Sequence, residues 1–138
     1  MNADEKIVQH LEMTQGVVNR LAGNSFSIKS WSMAIIGAAL IFIARSDVAN
    51  PNILFALFLP VIGFWYLDSY YLWQERLFRA VYDDIRAQSD TDFSMNPIKH
   101  LDKPNCSRAV VFFSKTLVVF YMIEMFTVGV VIFIIQCF

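Results

Sequence analysis

The stretch LVVFYMIEMFTVGVVIFIIQCF, residues 117–138, carries a single charge, Glu124, in 22 positions. A helix that crosses the ~30 Å hydrocarbon core of a bilayer needs about 20 mostly apolar residues, so this run predicts a membrane span. Two further stretches come close to the same standard. Residues 26–45 hold Lys29 near their start and no other charge before Arg45, and residues 53–73 hold only Asp68. The composition agrees: 57% of the chain is hydrophobic, 15% aromatic and 17% charged, with a mean hydropathy of +0.48, whereas soluble domains carry about 25% charged residues. The expected fold class is an all-α membrane protein with three transmembrane helices, an amphipathic N-terminal helix and a long cytoplasmic extension of the second span. The expected divisions are an N-terminal amphipathic helix over 1–24, span one over 26–45, span two over 53–73, its helical extension over 74–88, a loop over 89–108, and a lead-in with span three over 109–138.

Within these spans the local sequence adds detail. Gly37, Ala38 and Ala39 in span one are small residues that let a neighbouring backbone approach closely. RSDVANPN, residues 45–52, is a short polar turn with Pro51 placed to begin the next helix, so spans one and two form a hairpin. Pro60 falls inside span two, where loss of a backbone donor predicts a kink, and Gly63 adds tolerance for a bend.

Basic residues set the orientation, because positively charged flanks stay in the cytoplasm. Ten of them flank the expected inner side: Lys6, Arg20 and Lys29 precede span one, and Arg76, Arg79, Arg86, Lys99, Lys103, Arg108 and Lys115 lie between spans two and three. Only Arg45 lies in the hairpin turn. The N-terminus and the middle segment are therefore expected in the cytoplasm and the C-terminus on the outer side. No secretory signal pattern precedes span one, which is expected to stay on the mature protein. Cys106 and Cys137 fall on opposite sides in this topology and read as free thiols.

The helical period of span two continues past the membrane boundary. Leu67, Tyr70, Tyr71, Leu77, Phe78, Val81, Tyr82 and Ile85 cluster on one side, so Ile53 to Ala87 predicts one helix of 35 residues, about 52 Å long at 1.5 Å per residue. Tyr66, Tyr70, Tyr71 and Trp73 mark an interfacial belt. Glu75 with Arg79, and Arg79 with Asp83, stand at i,i+4 spacing on the exposed face; Arg76, Arg79, Tyr82 and Arg86 form a candidate surface for a cytoplasmic partner. Ile7, Leu11, Val18 and Leu21 form a stripe in the first 22 residues. This stripe either lies on the inner leaflet or packs on the aromatic face of the helix after span two; packing is preferred, since surface-seeking helices are richer in Lys and Arg. Residues 89–108 have no apolar period and contain Pro97 and Pro104, which reads as a loop, with Phe93, Met95, Ile98 and Leu101 as its anchors.

Glu124 is the leading candidate for chemistry. It sits eight residues into the last apolar run, about 11 Å below its cytoplasmic start, and an ionisable group at that depth is by default a functional site with a buried partner. It either lines a pore or proton path, or serves as a hydrogen-bonded acid that holds helices together through Tyr121, Thr127 or a hydroxyl on another helix. Lys29 and Asp68 fall near the same boundary and form a candidate ion pair at the inner mouth. A formal charge of -1 leaves no basic excess for a phosphate backbone, so no nucleic-acid partner is expected. His10 and His100 are the only histidines, and no metal-ligand spacing, phosphate loop or nucleophile elbow occurs. Neither metal, cofactor nor enzymatic activity is expected.

NSFSIKSW, residues 24–31, and FWYLDSYYLWQERLFRAVYDDIR, residues 64–86, resemble a group of small uncharacterised bacterial inner-membrane proteins that share an NSFxxKxW opening to span one and an FWxLDxYYLxQERLFRxLYDxxR exit from span two. The resemblance covers about the first two thirds of the chain and leaves out the span that holds Glu124. It implies an inner-membrane protein of the kind found in antiphage defence contexts, where small multi-span proteins act as membrane-disrupting effectors activated by a sensor. The leading expectation is thus a homo-oligomeric effector that permeabilises the membrane on a cytoplasmic signal or at the prompting of a sensor protein. A non-pore membrane adaptor that recruits a cytoplasmic partner is the second reading, and a small proton-coupled exporter the third.

Overall fold

The computed structural model describes residues 2–45 and 55–137. All regular elements among them are helical: α1 over Ala3–Arg45, α2 over Phe58–Arg86, two 3-10 turns over Pro97–His100 and Pro104–Cys106, the short α3 over Arg108–Phe112, and α4 over Lys115–Cys137. The expected polar turn at 46–52, with Pro51, lies outside the described residues, as do the first two positions of span two and Phe138.

Helix α1 runs without a break through the division expected at residues 24–26, so the N-terminal amphipathic helix and span one share a single helix of 43 residues, although the boundary between the compact units does fall there, at Ser25 and Phe26. Between Ala3 and Arg45 there is no proline. The glycines each cost only about 1 kcal/mol of helix propensity, and a helix once nucleated gains one hydrogen bond for every residue added. Pro60 stands third in α2, in its first turn, and the helix is interrupted four residues before it, where its missing N–H leaves the Ala56 carbonyl without an i→i−4 donor; the single helix expected over 53–87 is therefore broken at Ala56 and Leu57. These two residues form a turn, and the Leu59 N–H donates to the Ala56 carbonyl at 3.2 Å. From there α2 runs unbroken for 29 residues and closes through 3-10 bonds from Ala87 N–H to Asp84 O and Gln88 N–H to Ile85 O, each 3.1 Å.

The chain divides into two compact units, Met1–Ser25 with Ser69–Val111, and Phe26–Asp68 with Phe112–Phe138. The first unit holds most of the charge. Its core is Trp73, Leu77, Ala80, Cys106 and Val111, with Leu72 against it. Residues 89–108 are more structured than a plain loop. Each 3-10 turn begins on a proline, and the Asn96 side chain caps the first by accepting the Ile98 N–H at 3.0 Å. The Trp73 indole N–H donates to the Cys106 carbonyl at 2.7 Å, and the Arg108 guanidinium lies 4.3 Å from the centre of the Trp73 ring. Phe93 adopts a left-handed backbone, φ 59°, steadied by its N–H donating to Thr91 Oγ1 at 3.2 Å.

The second unit contains Lys29, Arg45, Asp47, Asp68, Lys115 and Glu124 as its only charged residues. In it α4 buries Leu117, Tyr121, Glu124, Val128 and Ile132, a stripe that returns every three or four residues and so faces one way. Much of the unit's remaining surface is apolar and open: Phe42 of α1 is 75% exposed, and Phe126 and Phe133 of α4 are 72% and 66% exposed. Among the described residues two helices, Ala3–Ile43 and Lys115–Cys137, are long and apolar enough to cross a membrane.

Candidate functional site

The second unit gathers its polar groups in two tiers on three helices. In the first tier Asp68 of α2 is wholly buried, its Oδ2 2.5 Å from the Lys29 Nζ of α1 and accepting the Tyr121 hydroxyl of α4 at 3.1 Å. A carboxylate shut away from water requires a cation and hydrogen bonds together, and Asp68 has both. Trp65 braces the tier: its ring stacks on Tyr121 at 5.8 Å and on Phe112 at 4.9 Å, and its indole N–H donates to the Phe112 carbonyl at 3.0 Å.

One turn further along both α1 and α4 stands the second tier. Ser32 follows Lys29 by three residues, and Glu124 follows Tyr121 by three, the interval that keeps side chains on one helix face. The Ser32 hydroxyl lies 2.9 Å from Glu124 Oε1 and 2.8 Å from Oε2. Because both tiers ascend in number along each helix, α1 and α4 run in the same direction here.

Of the partners considered for Glu124 in the sequence, a hydroxyl on another helix is the one found, that of Ser32, while Tyr121 and Thr127 are engaged elsewhere. Tyr121 serves Asp68, and Thr127 Oγ1 donates to the Ile123 carbonyl of its own helix at 2.9 Å. Ser32 was missed because nothing in its local sequence distinguishes it from Ser27 or Ser30. The only available signal is its distance of three from Lys29, which puts the two on one face of the helix.

A groove of about 190 Å³ opens beside Glu124, lined by Met33, Ile36, Gly37 and Leu40 of α1 and by Phe120, Ile123, Glu124 and Thr127 of α4. The two sets have the same spacing, i, i+3, i+4 and i+7, so each helix contributes one continuous face. Glu124 is the only ionisable group in that lining. Among the described residues no ion pair reaches it.

The candidate partner surface of the first unit is partly occupied from within. Arg76 Nη1 donates to the Asn105 carbonyl at 3.2 Å, and Arg79 pairs with Glu75 at 2.7 Å. Both arginines border a groove of about 600 Å³ with Asp83, Lys103 and Asn105. Tyr82 is half-buried and Arg86 exposed. On the N-terminal part of α1 the expected stripe faces inward, with Val18 buried and Ile7, Leu11 and Leu21 partly buried, and His10 and Thr14 join Val18 as its deepest members. His10 Nδ1 meets Thr91 Oγ1 at 2.6 Å and its ring lies 5.5 Å from Phe93, so this face packs on the 91–93 segment. His100 stands 3.3 Å from Asp84, which Lys103 also approaches at 3.5 Å. Among the described residues no group of His, Cys, Asp or Glu has the arrangement of a metal site, and Cys106 is buried while Cys137 is exposed.

No protein-family model, curated protein or solved structure matches the chain. What the fold and the site define is an all-helical protein in which two helices can cross a membrane by length and composition, with a buried ion pair and a separate hydroxyl-held acid in its apolar unit.

Proposed function

We propose that the protein is a bacterial inner-membrane effector that assembles into homo-oligomers and makes the membrane permeable to protons or cations along Glu124 when its cytoplasmic residues receive a signal or a sensor protein. The observation that carries this reading is Glu124 itself. It is a carboxyl group held by a hydroxyl and facing a groove on an otherwise apolar, exposed surface, a costly placement that is ordinarily kept for ion or proton pathways. The surfaces of Phe42, Phe126 and Phe133 need lipid or other copies of the chain to cover them. One copy cannot enclose a wet path with so few helices, so the pathway belongs to an assembly.

Three spans are supported by the shared direction of α1 and α4. If both cross from the cytoplasm outward, the chain between them must return, and the 53–73 stretch is the segment available. The uneven division of charge supports placing the first unit in the cytoplasm, and the resemblance to defence-associated inner-membrane proteins supports the effector role.

The test is induction in cells loaded with a membrane-potential dye, alongside Glu124→Gln. Depolarisation by the parent chain and its loss in the variant, with the assembly unchanged by native mass measurement in detergent, is the expected result. Potential and viability untouched under triggering conditions would remove the effector reading. A membrane adaptor is the second reading, favoured by the groove at Arg76 and Arg79, and it predicts capture of a cytoplasmic protein with no change in potential.

A further inference from the structure

The two carboxyl groups of the apolar unit are not equivalent. Asp68 is sealed, with Lys29 as its cation and Tyr121 as its donor. Glu124 has one hydroxyl proton from Ser32 shared between two oxygens that together offer about four acceptor sites, and it borders a groove of about 190 Å³. Apart from Glu124, the groove walls are apolar except for the Thr127 hydroxyl, which donates within its own helix to the Ile123 carbonyl, and they include Phe120, whose ring meets Tyr121 edge to face at 5.0 Å. Over Gly37 the groove is open, since a Cβ there would meet no heavy atom within 4 Å.

We propose that this groove is a binding site for a small hydrophobic organic cation, an alkyl- or arylammonium whose charge rests against Glu124 and whose apolar body lies over Gly37 and Phe120. A lipid chain would satisfy the walls but leave the carboxylate without a counter-charge. A metal ion or a hydrated cation would satisfy the carboxylate but find beside it in the lining only the Thr127 hydroxyl, far short of the roughly six or more oxygens such ions take. An ammonium with apolar substituents matches both, and Phe120 adds a π face of the kind that attracts such cations. The inference rests on the reading of Glu124 as a functional acid, and it adds a ligand class to that site.

The probe is benzyltrimethylammonium, and the measurement is saturable binding of the radiolabelled probe to the full chain purified in detergent. Its uncharged carbon isostere, neopentylbenzene, serves as competitor. Saturable binding is expected, weakened tenfold or more in Glu124→Gln, and not displaced by the isostere at equal concentration. Gly37→Leu keeps Glu124 and Ser32 and fills the open space, so it is expected to abolish binding while helix content by circular dichroism stays at the parent level. The proposal is overturned if no saturable binding occurs, if Glu124→Gln binds as the parent does, or if the neutral isostere competes equally, which would make the groove a lipid-chain site. It is also overturned if Gly37→Leu leaves binding intact or only breaks the oligomer, which would make the groove a contact between copies. Binding is read without ion flux, so binding in a chain that never depolarises cells defeats the effector reading alone, and depolarisation without binding defeats this one alone.

Discussion

Ser32 reaches both carboxyl oxygens of Glu124, at 2.9 and 2.8 Å, across a separation of 92 residues. One hydroxyl proton shared between two acceptors in an apolar unit makes this contact a strong constraint on how α1 and α4 sit against each other, because the alternative for either group is a buried polar atom with no partner.

Ser32→Ala should therefore destabilise the purified protein by about 1–3 kcal/mol, the usual cost of leaving a buried polar group unsatisfied. Ser32→Thr, which keeps the hydroxyl, should recover most of it. Thermal unfolding in one detergent, followed by circular dichroism, is the check; equal midpoints for parent and Ser32→Ala would show that the contact does not hold the helices.

Lys29 and Asp68 should behave as one unit. Lys29→Met removes the cation from the buried Asp68 carboxylate, and a loss of about 2–4 kcal/mol is expected, somewhat below the full range for a broken buried pair because the Lys29 side chain is 24% exposed. The double variant with Asp68→Asn should be more stable than Lys29→Met. Additive losses in the cycle would show that the two residues act independently.

Trp73 ties the 3-10 turn at Cys106 to α2 through one hydrogen bond. Trp73→Phe keeps an aromatic ring in the core but deletes the donor, and labelling of the buried Cys106 thiol should accelerate by about tenfold for each 1.4 kcal/mol by which local opening becomes easier. An unchanged rate, measured by mass spectrometry in a Cys137→Ser background, would remove Trp73 as the anchor of that turn.

Cys137 and Cys106 also report topology. With three spans, a membrane-impermeant thiol reagent added outside should modify Cys137 in spheroplasts, and Cys106 only after the membrane is opened and the unit loosened with denaturant. Protection of Cys137 in intact spheroplasts together with labelling from the cytoplasmic side would place both ends of the chain inside and require an even number of crossings.

The α-helical class, the membrane-spanning potential of the last apolar run and the singling out of Glu124 within it were all legible in the sequence, because each depends on length, apolar run and helical period along one segment. The same local rules located the α2 extension past Trp73 and placed Lys29 and Asp68 at similar depth. The change in polarity at residues 24–26 marks the unit boundary at Ser25 and Phe26 but not a break in α1, since helix persistence depends on cooperative hydrogen bonding rather than on polarity. The local rules also ran one helix through 53–87, whereas the helix breaks at Ala56 and Leu57, one turn before Pro60. Which hydroxyl meets Glu124, which face of the N-terminal segment carries His10 into the 91–93 segment, and the groove over Gly37 were decided only by tertiary structure. Partners 92 and 81 residues apart are chosen by how helices pack, and no local propensity encodes that choice.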